Sequence, residues 1–91
     1  MRITELKISR EGLAEKLINF CISNGLFSEQ EMLYTTVETI AWQLDSSWLV
    51  EGLIQAIILR ASYKQNIDLR ELRDVLCLLQ ELKYELEYGE V

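Results

Sequence analysis

The chain has 91 residues, 49% of them hydrophobic, and a net charge of −6 from nine basic and fifteen acidic residues. This length suits one domain and excludes two, because separate cores usually need about fifty residues or more each. The apolar residues are spread over the whole chain, which argues against extended disorder. The composition therefore predicts a single folded domain over residues 1–91, with fraying confined to the two ends.

The charge pattern argues against nucleic-acid binding. No basic residue occurs from Leu17 to Leu59, so the chain lacks the basic stripe that follows a phosphate backbone. The acidic excess either keeps a small protein in solution or steers a basic protein partner towards it. Composition leaves both interpretations open.

Composition also indicates a location. No segment approaches about 18 uninterrupted apolar residues, and the first eight residues lack an apolar signal core, so we expect neither a membrane span nor a cleaved signal. Cys21 and Cys77 share no redox or metal-ligand spacing, which favours free thiols in the reducing cytoplasm. A disulfide between them stays open, since their helices are candidates for contact.

The chain begins with eight residues of irregular pattern, which fit either a flexible or strand-like arm or a helical lead-in. The first helix is expected to begin after Ser9, a suitable N-cap, and to run to about Ser23. Gly25 then ends it, because glycine readily takes the left-handed conformation that closes a helix.

The second helix is expected to open with a capping box at residues 28–31, where Ser28 and Glu31 bond each other's backbone amides. Apolar residues then recur every three or four positions up to the turn at residues 45–47: Leu33, Val37, Ile40, Ala41 and Leu44. This spacing predicts one continuous helix with one buried face. The turn at residues 45–47 is also expected to cap the next helix.

The third helix, from Trp48 to about Gln65, is apolar nearly all round and has only a narrow polar strip: Glu51, Gln55 and Ser62. We therefore predict that it is the central and most buried helix. Trp48 opens it on the polar side, where it either packs on the preceding turn or binds a partner.

The fourth helix should run from Leu69 to about Tyr88, with Asp68 and Glu71 as an acidic cap and Gly89 closing it. Its leucines form a heptad seam that Val75 and Leu82 widen: Leu69, Leu72, Leu76, Leu79 and Leu86. Four helices with short connections predict an all-α fold, a single compact four-helix bundle with mostly antiparallel neighbours.

The sequence offers little for catalysis. It has no histidine, so the commonest general base and metal ligand is missing. Carboxylate pairs such as Glu11 with Glu15 share a helix face but are expected on solvated surfaces. No phosphate loop, calcium loop or zinc spacing appears. We expect no enzymatic activity, no cofactor and no metal.

Aromatic residues outside the apolar stripes are the candidate binding residues. Trp42 points away from the stripe of the second helix, where it either covers a neighbouring helix or meets a partner. Tyr84 and Tyr88 lie one turn apart beside Glu81 and Glu85, on a surface that would suit a basic partner. The alternative is that both rings pack over the first helix or the N-terminal arm.

Three segments, each at or within a helix, carry a resemblance to a known group of proteins: residues 25–31 (GLFSEQE), 52–58 (GLIQAII) and 66–72 (NIDLREL). Their order and pattern resemble the small helical immunity proteins of bacterial polymorphic toxins, including the Maf-type group, over about residues 12–86. The resemblance implies a cytoplasmic protein that binds a cognate toxin domain, often a nuclease, and blocks its active site or substrate groove. It implies no catalytic residues.

The sequence therefore predicts a protein-binding module, an immunity or inhibitor protein for a basic toxin or nuclease. The expected partner-binding residues are Trp42, Glu81, Tyr84, Glu85 and Tyr88. The alternative is a self-associating subunit, such as a homodimer formed through the third or fourth helix. Its basis is that the third helix is more apolar than a monomer of this size easily buries.

Overall fold

Within residues 9–88, which the computed structural model describes, the chain forms five α-helices and no strand. They are α1 (Arg10–Ser23), α2 (Glu29–Tyr34), α3 (Val37–Gln43), α4 (Ser47–Ser62) and α5 (Leu69–Tyr88). The all-α prediction is confirmed, and the Cα radius of gyration of 12.8 Å is near the ~12 Å of a compact chain of this length. The predictions for residues 1–8 and for Gly89 lie outside the described residues.

The first helix begins and ends as its sequence predicts. The Ser9 hydroxyl accepts a hydrogen bond from the Gly12 amide at 3.0 Å. Gly25 has a φ of +65°, and the next amide, that of Leu26, donates to the carbonyl of Cys21 at 2.8 Å. The buried face of α1 comprises Leu13, Ala14, Leu17, Phe20 and Cys21.

The prediction of a single second helix is wrong, because the helix is interrupted at Thr35 and Thr36. The capping box of Ser28 and Glu31 forms as expected, but α2 lasts only six residues and buries none of them. Thr36 then opens α3 with a second capping box to Thr39. A threonine hydroxyl that bonds a nearby amide favours such a cap over a helix interior. The break takes Leu33 out of the stripe and leaves it 78% exposed.

The third predicted helix corresponds to α4, which ends at Ser62 rather than near Gln65. It is not the most buried helix. Its core face is Val50, Ile54, Ile57 and Ala61, whereas Leu59 is 57% exposed. It packs chiefly against α5 and its opposite side is open. The helix is therefore apolar on nearly every side but buried on only one. Ser46 occupies the cap position without a side-chain cap bond.

The last helix has the predicted bounds, and the Asp68 carboxylate caps it by accepting from the amides of Arg70 and Glu71. The predicted heptad seam is wrong at its start, since Leu69 is 71% exposed. The fully buried line is instead Val75, Leu79 and Leu82. Because α5 packs against both α1 and α4, its buried arc lies between them and leaves the first leucine at the edge.

Polar contacts fix how the long helices meet. Asn24, at the end of α1, donates to Glu71 Oε1 at 3.3 Å and accepts from the Asp68 amide at 3.0 Å. Near the other end of α5, Lys83 Nζ lies 3.0 Å from Glu51 Oε1 of α4. The end of α1 thus lies beside the start of α5, and the start of α4 lies towards its end.

Arg60 of α4 holds α2 in place. Its two terminal nitrogens donate to the two carboxylate oxygens of Glu31 at 2.9 and 2.6 Å, and Nη1 also donates to the carbonyl of Leu26 at 3.1 Å. Such a forked pair fixes orientation as well as distance. Because α2 buries no side chain, this ion pair is the main polar tie between α2 and α4.

The ion pair predicts a pH-dependent stability. The hydrogen bond from Arg60 is the chief cause that lowers the pKa of Glu31 from 4.5 to about 2. Because the folded-state pKa is below the unfolded one, this stabilisation is complete above about pH 4.5 and is lost as the pH falls towards 2. The melting temperature of Glu31→Gln should therefore be below wild type near neutral pH and converge with it in acid. Glu15→Gln is the control, and a gap that does not change with pH would contradict the prediction.

The corrected core predicts unequal roles for two leucines of the same predicted seam. Leu79→Ala should lower the free energy of unfolding by about 2–5 kcal/mol, because the side chain is fully buried. Leu69→Ala should change it by less than about 0.5 kcal/mol, because most of that side chain is in solvent. Urea denaturation of both variants measures the difference. Equal losses of unfolding free energy would contradict the exposed position of Leu69 and show that it belongs to the core.

Candidate protein-binding surfaces

The described part of the chain leaves many large apolar side chains in solvent, and three groups of them stand out. The first surrounds Trp42 on α3, the second is the pair Tyr84 and Tyr88 on α5, and the third is a run of three residues at the end of α2. Scattered exposed apolar residues are ordinary, but aromatic ones near charged groups are typical of binding surfaces.

Trp42 lies on the side of α3 that faces away from the core. Ile40 and Leu44 are buried beneath the helix, whereas Trp42 is 68% exposed. Trp42 was predicted either to cover a neighbouring helix or to meet a partner, and its exposure is inconsistent with the first of these. The helix itself is held by its packing against α1.

Carboxylates surround this tryptophan. A shallow hollow of about 300 Å³ is lined by both ends of α3 and the start of α1: Arg10, Glu11, Glu38, Ala41, Trp42 and Asp45. We call Glu11, Glu38, Trp42 and Asp45 the Trp42 face. The glutamates are exposed, and the side chain of Asp45 is 61% exposed.

The Trp42 face carries negative charge around an aromatic ring. Arg10 Nη1 lies 2.9 Å from Asp45 Oδ1, so one guanidinium offsets one of the three carboxylates. The other two remain beside the indole. An indole face attracts a lysine or arginine side chain through its quadrupole, and nearby carboxylates strengthen that preference. The arrangement suits a basic side chain of another protein.

Part of the Trp42 face can be recognised from helical spacing in the sequence. Glu38 and Asp45 stand four residues before and three residues after Trp42, which places all three on one side of a helix. Trp42 was predicted from the sequence as a binding residue, whereas Glu38 and Asp45 were not. The position of Glu11 could not be read in this way, because it reaches the site only through the packing of α1 on α3.

Tyr84 and Tyr88 are exposed on the outer side of α5, at 53% and 69%. Their ring centroids lie 5.0 Å apart with a tilt of 48° between the planes. The rings thus support each other, and neither packs away into the described core. Glu81, one turn earlier, is half-buried on the same side.

Glu85 is a correction to the predicted acidic surface. It was expected to be exposed beside the tyrosines, yet only 3% of the residue is accessible. Its position on the helix lies next to the buried arc that includes Leu82. Of the five expected partner-binding residues, Trp42, Tyr84 and Tyr88 are exposed, Glu81 is half-exposed, and Glu85 is not available to a partner. Trp42 and the tyrosines also lie on different helices.

The third group, Met32, Leu33 and Tyr34 at the end of α2, was missed because Leu33 was assigned to the core. Beside it, a cavity of about 220 Å³ opens between α1, α4 and the α2–α3 segment, with Glu31 and Arg60 at its edge. Its walls are mainly apolar: Leu17, Ile18, Cys21, Leu26, Phe27, Ile40, Leu53, Ala56 and Ile57. An apolar cavity of about 150 Å³ holds a benzene ring, so this one has room for a side chain.

No cluster of three or more cysteine or acidic side chains is placed to hold a metal ion within residues 9–88. Both cysteines are free, so the disulfide alternative does not form. Burial raises the pKa of the Cys21 thiol to about 11, which keeps it protonated. Over the same residues, no helix combines the length and apolar character that a bilayer crossing needs.

No protein-family model matches the sequence, and no curated protein or solved structure is significantly similar to it.

The two thiols should differ strongly in reactivity. Cys77 is exposed on α5, whereas Cys21 is buried and, at its raised pKa, holds about a hundredfold less thiolate than an ordinary cysteine. A chromogenic disulfide reagent at mildly alkaline pH should label one thiol per folded chain quickly and two in denaturant. Cys77→Ser should abolish the fast phase. Rapid labelling of that variant would mean that Cys21 is accessible.

Proposed function

We propose that this chain is a non-enzymatic protein-binding module that holds a basic partner protein at the Trp42 face. The observation that carries the proposal is an exposed tryptophan placed among three carboxylates on an acidic protein. Tryptophan is among the residues most often found at the energetic centre of interfaces. The missing histidine supports a binding role rather than catalysis.

The local charge supports a basic partner over a neutral one. Residues 17–59 contain no lysine or arginine, so every charged side chain in α2, α3 and most of α4 is negative. A protein of net charge −6 attracts a basic partner over several ångströms and raises the rate of association. The carboxylates of the Trp42 face would then pair with lysine or arginine side chains once the surfaces meet.

We further propose that the bound partner is a toxin or nuclease and that this chain is its immunity protein. A nuclease groove is basic because it binds phosphates, and an acidic surface that occupies it excludes the substrate. The resemblance of residues 12–86 to helical immunity proteins supports this class. The proposed setting is the cytoplasm, where Cys21 and Cys77 would stay reduced.

The test of the binding face starts with partner capture from the native cell, followed by affinity measurement with the purified partner. The expected prey is a basic protein. Trp42→Ala should weaken binding about 30-fold or more, the effect of losing a tryptophan at an interface centre. Glu38→Lys should also weaken binding, because the substitution replaces attraction with repulsion. Its loss of affinity should be larger at low ionic strength than at high ionic strength.

Tyr63→Ala is the matched control, since Tyr63 is 80% exposed and lies on the α4–α5 connection. It should leave the affinity unchanged. If Trp42→Ala and Glu38→Lys bind as tightly as the control, the Trp42 face is not the interface. Co-expression then tests the class: the wild-type chain should restore growth to cells that make the captured partner, and Trp42→Ala should not. A captured partner that is harmless to cells would remove the immunity role while leaving the binding role.

A further inference from the structure

The outer side of α5 carries a regular row of polar and aromatic residues that the core does not use. Counted from Cys77, the row has a residue seven before, four before, four after and seven after: Arg70, Arg73, Glu81 and Tyr84. At about 100° per residue these five positions fall on one side of the helix. Four of them are exposed and Glu81 is half-buried. We call these five residues the α5 face.

The charged side chains of the α5 face form no ion pair with one another or with other residues in the described part of the chain. Among the ion pairs formed by described residues, none involves Arg70, Arg73 or Glu81. Arg70 and Arg73 lie in the first half of α5 and Glu81 in its second half. A second helix that runs the opposite way would therefore place the arginines of one copy beside the glutamate of the other.

The row is complementary to itself when it is turned about Cys77. A two-fold axis beside Cys77 brings the residue four before it opposite the residue four after it in the other copy. Arg73 then faces Glu81 of the partner subunit, and Arg70 faces Tyr84 of the partner subunit. The same contacts recur on the other side of the axis. Self-complementarity of one patch is the requirement for a two-fold dimer, and an unrelated partner helix would not need it.

We propose that α5 pairs antiparallel with α5 of a second copy of this chain, about a two-fold axis at Cys77. The Arg73 guanidinium binds the carboxylate of Glu81 of the partner subunit, and the ring of Tyr84 receives the guanidinium of the partner subunit's Arg70 through its face.

Apolar residues along the edge of the α5 face would add to the contact. Leu69 is 71% exposed, and with Leu72 and Leu76 it borders a shallow hollow that also includes Arg73 and Cys77. In the antiparallel pair, the aromatic end of one α5 lies over the start of the other, near Leu69.

The α5 face and the Trp42 face lie on different helices, so the dimer leaves the Trp42 face open to another protein. The contact is limited to one helix of about 30 Å per copy. Interfaces of this extent fall at or below the low end of the stable range, so the dimer is expected to be of micromolar affinity rather than obligate. A self-association of this strength requires measurement at high protein concentration.

Charge exchange tests the pairing. In sedimentation equilibrium at a few hundred micromolar, the wild type should be partly dimeric, and either Arg73→Glu or Glu81→Arg should weaken the dimer about tenfold or more, because both symmetric pairs become repulsive. The double variant Arg73→Glu/Glu81→Arg should restore it. The charge-matched controls Lys64→Glu and Glu15→Arg, both exposed elsewhere, should leave the dimer unchanged.

Cysteine cross-linking supplies a second reading of the same geometry. With diamide as the oxidant, two Cys77 thiols lose two protons and two electrons and form one S–S bond, while diamide is reduced to the hydrazine. Cross-linking should be fast in wild type, slow in each single charge variant, fast again in the double variant and absent in Cys77→Ser.

A wild type that stays monomeric at these concentrations would overturn the proposal. So would a dimer that none of the charge variants alters, since it would form through another face, and so would a double variant that remains monomeric. The substituted residues are exposed except for the half-buried Glu81, so circular dichroism should be the same for every variant. Because the Trp42 face is not involved, partner binding measured with Trp42→Ala can fail or succeed independently of this result.

Discussion

Arg60 supplies the contact that ties α2 to α4. Because α2 buries none of its residues, its position depends on polar contacts of this kind. The forked bond from Arg60 to Glu31, with the added bond to the carbonyl of Leu26, holds both the start of α2 and the turn before it. Glu31 also caps its own helix through the Ser28 amide at 2.9 Å, so one carboxylate serves two purposes.

The position of α3 follows from its own apolar face. After the helical break at Thr35 and Thr36, α3 packs on α1 with Ile40 and Leu44 inwards. Trp42 is then forced outwards, to a place where Glu11 of α1 joins Glu38 and Asp45 around it. The surface that suits a basic partner is therefore a consequence of how α3 docks. It is separate from the side of α5 that carries the tyrosines, because the two helices contact α1 in different places.

Prediction from sequence succeeded where the signal is local. The cap at Ser9, the left-handed Gly25, the box of Ser28 and Glu31, and the bounds of α5 each depend on residues within a few positions of one another. It failed where two local signals competed. Apolar spacing favoured a single helix through residue 35, while the hydroxyls of Thr36 and Thr39 favoured a new cap, and the cap prevailed. Glu85 was also predicted to be exposed, and this was wrong. Its position is separated from the buried arc of α5 by less than the rotation of one residue, so periodicity did not show on which side of the boundary it lies.

The sequence by itself determined the helical class, most helix ends, the acidic balance and the placing of Trp42, Tyr84 and Tyr88 outside the apolar stripes. These follow from hydrogen bonds and side-chain periodicity within single segments. Only the tertiary structure decided that α4 has an open side, that Leu69 is exposed while Leu79 is buried, and that Glu11 lies near Trp42. Each of those depends on which helices touch, and contacts between residues distant in sequence leave no periodic trace in any one segment.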